Sequence, residues 1–338
     1  MPALTDVRIE RVDPLELDLE TADALAEAVA EGHRDAGLDL RVHVGPAFLQ
    51  ARRLGSDNRP ADGLWVAWVD GRPVAHADLE LPWRENTTAA FIRGHVHPDH
   101  RRRGIGKRLF DIAVEEARAA GRERVYSGAM DGTPGGATLA AWGLVPTPGR
   151  YAVRRIDLHA TPTTTWQRLH DEAVAHAADY ELVRLVGPTP EELLTGMALL
   201  HEAINDAPVN DDGEEPTLFD EQRVRDYDAA MAGRRQTVYR VLARHRSGGE
   251  WAGLSMLCVD EFAPTVAFQE DTSVVRAHRG HRLGLLMKAE MLRWVTEERP
   301  EVAAVDTWNA VGNHHMIAVN ERLGARVVAH FQGYRLDV

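Results

Sequence analysis

Apolar and polar positions alternate in short blocks, and the same blocks recur in both halves of the chain. In the first half, residues 64–69 and 73–79 have the pattern of two strands joined by an Asp-Gly turn. In the second half, residues 237–243 and 251–259 have the pattern of two strands joined around a Ser-Gly-Gly turn. Each half is therefore predicted to contain a β-hairpin.

A helix is predicted after each hairpin, because apolar residues recur at the spacing of one helix face. These residues are Leu109, Ile112, Ala113 and Ala117 in the first half, and Leu286, Met287, Met291, Leu292 and Val295 in the second. Short apolar strands follow at 124–126 and 302–305, and earlier helices are predicted near 22–36 and 191–205. Each half thus has the order helix, hairpin, strand, loop, helix, strand, helix, which predicts an α/β sheet with helices packed on it.

This repeat predicts two domains, and a length of 338 residues suits two cores of ordinary size. The segment 160–165 is rich in Thr and Pro, as linkers are, and the polar helix after it is predicted to bridge the domains. We expect an N-terminal domain at 1–158, a linker or bridging helix at 159–180 and a C-terminal domain at 181–338.

The loop between the third strand and the following helix carries the candidate chemistry. His100, Arg101 and Gly106 recur 178 residues later as His278, Arg279 and Gly284. Glycine lets a backbone approach a ligand closely, and the free N–H groups of a helix start favour an anion. The candidate pyrophosphate-binding residues are Arg101, Arg102, Arg103, Gly104, Ile105, Gly106 and Lys107, and Arg279, Gly280, His281, Arg282, Leu283 and Gly284.

These loops match neither the Walker nor the dinucleotide-binding pattern. The first loop instead resembles motif A of the GNAT superfamily of N-acetyltransferases, Arg/Gln-x-x-Gly-x-Gly/Ala, at Arg101, Gly104 and Gly106. The second loop matches at Arg279 and Gly284 but has Arg282 where the motif has Gly. Residues 307–324 are similar to the family's fifth strand and closing helix.

The resemblance implies an α/β fold of two tandem GNAT-like domains, each with a mixed, mostly antiparallel sheet flanked by helices. The tandem layout is also similar to that of mycothiol synthase, which is a likeness of layout and not of substrate. The family binds acetyl-CoA through the backbone amides of the loop. The resemblance also implies that Asn309 and Asn313 contact the cofactor. It implies further that an N–H near Val274 or Val96 stabilises the oxyanion formed during acyl transfer.

The family's reaction is direct attack of an amine on the thioester, which requires a base. In the second half Asp271 is favoured over Glu270, because neighbouring strand residues point to opposite faces and only one can face the cleft. The corresponding strand of the first half offers His95 or His97. Two histidines without further ligands seldom bind a metal, so no metal is expected.

The acid that protonates the departing thiolate is harder to assign. The family's usual Tyr is replaced by Leu139 in the first half and by Asn320 in the second. Tyr334, His314 or water could substitute. Asp271, Glu270, Asn313 and Tyr334 are the catalytic candidates; we expect the second half to be catalytic and both halves to bind coenzyme A.

Composition narrows the classes of partner. The net charge of −13 argues against non-specific binding to nucleic acid or anionic membrane. Cys258 is the only cysteine, and neither a signal peptide nor a membrane-spanning run is recognisable, which favours a reducing, cytoplasmic location. The acidic run 211–215 could attract a cationic amine or be a solvated loop.

We therefore expect transfer of acetyl from acetyl-CoA to a primary amine of a small molecule or peptide, by a monomer or homodimer. Three alternatives remain. The first is a non-catalytic acyl-CoA-binding or structural module, which the missing Tyr residues favour. The second is nucleic-acid binding through the Arg-rich loop, which the net charge disfavours. The third is a nucleotide-binding enzyme, for which the sequence shows no motif.

Overall fold

The computed structural model describes residues 7–40, 44–206 and 215–338, so most of the acidic run 211–215 lies outside the described residues. The chain forms two compact units. Unit 1 comprises the described residues up to Arg150, together with Glu215 and Ala329–Val338. Unit 2 comprises the described residues from Tyr151 to Val328 other than Glu215.

The elements follow the predicted order in both halves. The strands are β1 Val7–Arg11, β2 Gly63–Val69, β3 Arg72–Glu80, β4 Ala89–Val96, β5 Arg124–Met130, β6 Val145–Asp157, β7 Tyr180–Val186, β8 Gln236–His245, β9 Trp251–Asp260, β10 Val266–Val274, β11 Ala304–Ala310 and β12 Arg326–Asp337. The helices are α1 Leu19–Asp35, α2 Gly45–Leu54, α3 Ile105–Ala119, α4 Gly135–Ala141, α5 Thr163–Val174, α6 Leu194–Glu202, α7 Glu221–Gly233, α8 Leu283–Glu298 and α9 His314–Arg322.

Unit 1 is a sheet in the order β1-β2-β3-β4-β5-β12, with helices on both faces. Only β4 and β5 pair in parallel, whereas β1–β2, β2–β3, β3–β4 and β5–β12 are antiparallel. On one face α3 buries Ile105, Leu109 and Phe110 in the main core. On the other, Leu25 of α1 and Phe48 of α2 pack over β2.

Unit 2 repeats this plan in the order β6-β11-β10-β9-β8-β7. Again one pair, β10 with β11, is parallel and the others are antiparallel. α8 and α5 cover one face, and α6 and α7 cover the other. The predicted fold class, two α/β units with mixed and mostly antiparallel sheets, is confirmed.

The last strand of each sheet lies outside the half of the sequence in which the domain was expected. Unit 1 contains residues 329–338 of β12, of which Phe331–Asp337 pair with β5. Unit 2 contains residues 151–157 of β6, which pair with β11. The units therefore do not follow the contiguous division expected from the sequence, because strand pairing joins segments that are far apart along the chain.

The polar helix predicted to bridge the domains belongs to the core of unit 2. This helix is α5, which packs on α8 and buries Trp166, Leu169 and Ala173. Trp166 also donates a hydrogen bond from Nε1 to the Leu323 carbonyl at 3.0 Å. The composition of the segment misled the prediction, because three buried side chains suffice to dock a short helix that is otherwise polar.

In both units the parallel strands separate before they end. In unit 1 the last parallel pair is Phe91 with Tyr126, although β4 continues to Val96 and β5 to Met130. In unit 2 the last parallel pair is Gln269 with Thr307, although β10 continues to Val274. Beyond these pairs the facing strand edges form an open wedge. No helix of the described segments is long and apolar enough to cross a membrane.

The loops after β4 and β10 have the same backbone conformation although their sequences differ. Each contains two left-handed residues, Arg102 (φ 63°) and Gly104 (φ 79°) in unit 1, and Gly280 (φ 89°) and Arg282 (φ 56°) in unit 2. Glycine and arginine have exchanged places between the two positions. Arg282, which departs from the sequence motif, therefore keeps the loop geometry of that motif.

The same pattern of contacts holds the loop in place in both units. Arg101 donates from Nε to the Val96 carbonyl at 3.2 Å and pairs with Asp35 at 2.8 Å. Arg279 donates from Nε to the Val274 carbonyl at 3.1 Å and pairs with Asp206 at 3.0 Å. The motif arginine of each unit thus ties the loop to the end of its own strand and to the early helical segment.

The left-handed backbone at Arg102 and Arg282 leads to a prediction about stability. A side chain at such a position costs about 1–2 kcal/mol relative to glycine. Arg102→Gly should therefore be more stable than Arg102→Ala by about 1 kcal/mol in urea unfolding. Arg282→Gly should exceed Arg282→Ala by a similar amount, since both lose the ion pair with Glu172. Equal stability within each pair would show that the loop is not left-handed in solution.

The burial of Lys288 in α8 leads to a second prediction, on the pH dependence of stability. It is 2% exposed in unit 2, and burial lowers its pKa to about 7. The unfolded chain therefore holds this proton more tightly than the folded chain, and the folded state gains stability as pH rises from about 7 toward 10.5. Lys288→Met should raise the melting temperature more at pH 7 than at pH 10.

Lys107, the other lysine of the chain, is the matched control. It is exposed and pairs with Asp111 at 2.5 Å within α3. Lys107→Met should change the melting temperature little at either pH, because exposed ion pairs contribute about 0–1 kcal/mol. If Lys288→Met raised the melting temperature equally at both pH values, the lowered pKa of Lys288 would be contradicted.

Candidate active site

The start of α3 and the start of α8 each present backbone N–H groups without helical acceptors. The first helical hydrogen bond of α3 runs from Arg108 N–H to the Gly104 carbonyl at 3.1 Å, and that of α8 from Leu286 N–H to the Arg282 carbonyl at 3.0 Å. Within the described parts of the chain, no side chain caps either start. The N–H groups of residues 105–107 and 283–285, with the positive end of the helix dipole, favour an anion such as a diphosphate.

The two glycines of the helix starts have different surroundings. A Cβ on Gly106 would lie 3.3 Å from Trp142 and 3.3 Å from Val96, which are tight contacts. A Cβ on Gly284 would meet only Thr272, at 4.0 Å. The start of α8 therefore has room for a ligand or a side chain, whereas the start of α3 is tightly packed.

Several predicted loop residues have structural partners instead of open space. Ile105 and Leu283 are buried in the cores of their units, so only their backbone can face a ligand. Arg103 lies 3.2 Å from His100, Lys107 pairs with Asp111, and Arg282 pairs with Glu172. His281 contacts the ring of Tyr180, with centroids 5.2 Å apart. Arg102 and Gly280 are exposed at the left-handed positions.

The wedge of unit 2 has a carboxylate-bearing bulge at its closed end. The pairing of β10 with β9 shifts between Gln269 and Thr272, which marks a β-bulge at Glu270 and Asp271. A bulge interrupts the strict alternation of faces, so the premise that only one of these carboxylates can face the cleft does not hold. The pairing of β4 with β3 in unit 1 is regular.

The two carboxylates have different environments. Burial raises the pKa of Asp271, and the carboxylate has no hydrogen-bond or ion-pair partner among the described residues. Glu270 lies near Tyr227 and Cys258. Burial and then the negative charge of Glu270 raise the pKa of Cys258 to about 12, which makes this thiol an inert one. The environment of Asp271 is therefore of the kind found around general bases.

The wedge of unit 1 is lined by histidines instead. Burial, followed by the charges of His76 and Arg101, lowers the pKa of His95 to about 3. Its Nε2 is buried and finds no hydrogen-bond partner among the described residues. His97 accepts a hydrogen bond from the Asp99 N–H at 3.2 Å. A base with a pKa near 3 has little affinity for a proton at neutral pH, and the described residues contain no group of three or more ligands arranged for a metal ion.

The predicted residues of the closing helix serve mainly to hold that helix. Asn313 caps α9, accepting a hydrogen bond from the Met316 N–H at 3.2 Å. Asn309 accepts a hydrogen bond from Asn320 at 2.8 Å, and Asn320 is fully buried. Leu139, at the corresponding place in unit 1, is also buried. Neither residue at the family's Tyr position can act as an acid.

Tyr334 lies in unit 1, whereas the sequence placed it in the second half. It pairs with Ser127 of β5, just beyond the last parallel pair of the wedge. Its hydroxyl lies 2.7 Å from where a Cβ on Gly136 of α4 would be. The strand exchange is the cause, since β12 ends in the sheet of unit 1.

The structure adds two groups of residues that no sequence pattern indicates. Asp35 and Asp206 brace the loops, and no local pattern marks them. Arg154 of β6 is 7% exposed and lies opposite Thr307 of β11, at the closed end of the wedge of unit 2. It was not predicted because residue 154 falls in the first half of the sequence, although unit 2 contains it.

Comparisons with known proteins agree with this geometry. Residues 25–134 match the model of the Acetyltransferase (GNAT) family. An uncharacterized N-acetyltransferase of Methanocaldococcus jannaschii is 37% identical over 71 residues, which are 20% of this chain. The match spans 31% of the length of that relative.

Solved structures match over nearly the whole chain. A tandem GNAT protein from the clavulanic acid biosynthesis pathway is 26% identical, with 98% of each chain covered and a TM-score of 0.80. A GCN5-related N-acetyltransferase from Sphaerobacter thermophilus is 16% identical, with 98% of this chain and 95% of that chain covered and a TM-score of 0.67. N-myristoyltransferase of Saccharomyces cerevisiae is 11% identical, with 100% and 81% covered and a TM-score of 0.61. Residues 25–134 therefore form a domain of the Acetyltransferase (GNAT) family, and the full-length likeness to a tandem GNAT protein shows that the whole chain has the tandem fold.

Proposed function

We propose that the protein transfers an acetyl group from acetyl-CoA to a primary amine of a small molecule or peptide. The observation that carries the proposal is the loop and wedge found in both units. In each unit, N–H groups without helical acceptors lie at a helix start that follows a strand of the separating parallel pair. An anion site and an open strand edge therefore lie side by side. The diphosphate and the extended arm of coenzyme A fit these two features.

The residues that would hold coenzyme A are mostly backbone. The N–H groups at the starts of α3 and α8 would bind the diphosphate in each unit, and the free edges of β4 and β10 would bind the arm. The cofactor supplies an activated acyl thioester. Backbone N–H groups near Val274 in unit 2, and near Val96 in unit 1, would stabilise the negative charge that develops on the carbonyl oxygen.

Unit 2 is the catalytic unit in this proposal. Asp271 lies in the bulge at the wedge and has a raised pKa, so it can accept a proton from the attacking ammonium, directly or through water. Glu270 is the second candidate. Unit 1 lacks a carboxylate on β4, and its His95 is a weak base. Unit 1 would then bind coenzyme A without turnover.

A non-catalytic acyl-CoA-binding module is the second candidate function. The observation in its favour is that Leu139 and Asn320 are buried where the family has its acid. This candidate and the enzyme differ in turnover, so the same preparation can separate them.

Binding of coenzyme A is the first test. Calorimetry with acetyl-CoA should give a stoichiometry of two. Gly284→Asp places a negative charge at the open start of α8 and should abolish the site of unit 2, which lowers the stoichiometry to one. Gly284→Asn is the matched neutral control and should retain more affinity. Absence of heat with the wild-type protein would refute acyl-CoA binding by either unit.

The base is tested by the pH dependence of turnover. A thiol-release assay with a library of amines should show activity that falls as pH drops, because Asp271 must be ionised. The acidic limb should lie above 3.8, the ordinary pKa of aspartate. Asp271→Asn should lower kcat by about 10²–10⁴-fold and remove that limb.

Glu270→Gln and His95→Asn are the comparison variants. We expect a smaller loss for Glu270→Gln, and no loss for His95→Asn if unit 1 is silent. A loss confined to His95→Asn would assign catalysis to unit 1. Heat of binding without thiol release from any amine would favour the non-catalytic module.

A further inference from the structure

Arg154 occupies a defined level in the sheet of unit 2. β6 pairs Arg154 with Thr307 of β11, and Thr307 in turn pairs with Gln269 of β10. Gln269 and Thr307 form the last parallel pair before the strands separate. Arg154 therefore lies at the level of the closed end of the wedge, on the strand next to β11.

The side chain of Arg154 lies on the face covered by α8 and α9. Ile156, two residues away, is buried in the core beneath α8, and alternation along a strand places Arg154 on the same face. On β11, Asn309 faces α9, since it bonds to Asn320. Glu321 of α9 is the charge that opposes the lowering of the Arg154 pKa by burial.

Arg154 is buried, yet part of its guanidinium is unsatisfied. It is 7% exposed, and its Nη1 is buried without a hydrogen-bond partner among the described residues. Its neighbour Arg155 is equally buried but pairs with Asp306 through two hydrogen bonds, at 2.7 and 2.8 Å. A buried cationic donor without a partner is costly. The contrast indicates that the partner of Arg154 is an anion that arrives with a ligand.

The position of that anion follows from the wedge. The edge of β10 from Val274 to Gln269 spans about 17 Å at the rise of an extended strand. A ligand whose diphosphate is held at the start of α8, and whose arm lies along this edge, brings the far end of the arm to the closed end of the wedge. In coenzyme A, the thiol sulfur is at that end.

We infer that Arg154 stabilises the thiolate that leaves during acyl transfer, in place of the absent family Tyr. This inference rests on the proposed function of unit 2. The amine nitrogen forms a bond to the carbonyl carbon, and the carbon–sulfur bond breaks with its electron pair remaining on sulfur. The amine proton passes to Asp271 or through it to water. Arg154 donates a charge-assisted hydrogen bond to the sulfur and keeps its own proton.

Unit 1 has a donor of a different kind in the corresponding place. Tyr334 on β12 lies opposite Ser127, immediately beyond the last parallel pair of that wedge. In each unit the last strand of the sheet thus brings a donor to the closed end of the wedge. The donor is a neutral hydroxyl in unit 1 and a permanent cation in unit 2.

The test measures the thiol of bound coenzyme A directly. Ultraviolet absorbance of the thiolate is followed against pH with the protein in excess over coenzyme A, in the wild type and in Arg154→Met. The Gly284→Asp protein gives the contribution of unit 1 for subtraction. We expect the pKa of the thiol bound to unit 2 to be lower in the wild type than in Arg154→Met, and Arg154→Lys to be intermediate.

Turnover and stability complete the experiment. Arg154→Met should lower kcat by about 10²-fold, the effect of losing one preorganised donor, with little change in KM. It should melt at or above the wild-type temperature, because it removes an unsatisfied buried charge. Arg168→Met, a change of an exposed arginine in α5, should alter none of these quantities.

The outcomes separate this inference from the proposal on which it rests. If the wild type binds no coenzyme A, the proposed function fails. If coenzyme A binds but its thiol titrates identically in the wild type and Arg154→Met, only the role of Arg154 is overturned. A lower melting temperature for Arg154→Met with an unchanged thiol titration would show that Arg154 is a structural brace.

Discussion

The constraint on which each unit depends is the backbone's need for hydrogen-bond partners. Buried N–H and C=O groups are almost always paired, and a sheet satisfies them by continuing its ladder. Here the ladder of the parallel pair stops partway along both strands in both units. The helix that follows then begins with further N–H groups that lack helical acceptors. A polar, extended, anionic molecule can satisfy both sets of groups.

The two units have diverged around this shared constraint. Unit 1 keeps the sequence motif at its loop, but buried histidines line its wedge and its β4 is regular. Unit 2 has lost one motif glycine, yet it retains the left-handed backbone and has a bulge that carries two carboxylates. The sequence motif of the loop therefore favours unit 1 as the active unit, whereas the carboxylates favour unit 2. The proposal that unit 2 is catalytic follows the bulge and its carboxylates, because both units keep the same loop conformation and the loop does not distinguish them.

Local patterns in the sequence were enough to predict the hairpins, the helices and both loops, since period and turn residues act over a few positions. Long-range pairing was not predictable in this way. The exchange of strands placed Tyr334 in unit 1 and Arg154 in unit 2, and no short-range pattern marks either. The bulge at Glu270 and Asp271 depends on the register with β9. Arg282 departs from the motif in residue type but keeps its left-handed backbone, and backbone conformation cannot be read from residue type alone.

Exchange of the last strands also has a consequence for biosynthesis. The sheet of unit 1 lacks its strand beside β5 until residues 329–338 have left the ribosome, so its edge remains open while the whole of unit 2 is being made. Unit 2, in contrast, has its corresponding strand from the beginning, because residues 151–157 directly precede the rest of it. The half that is translated first is therefore the half that is completed last.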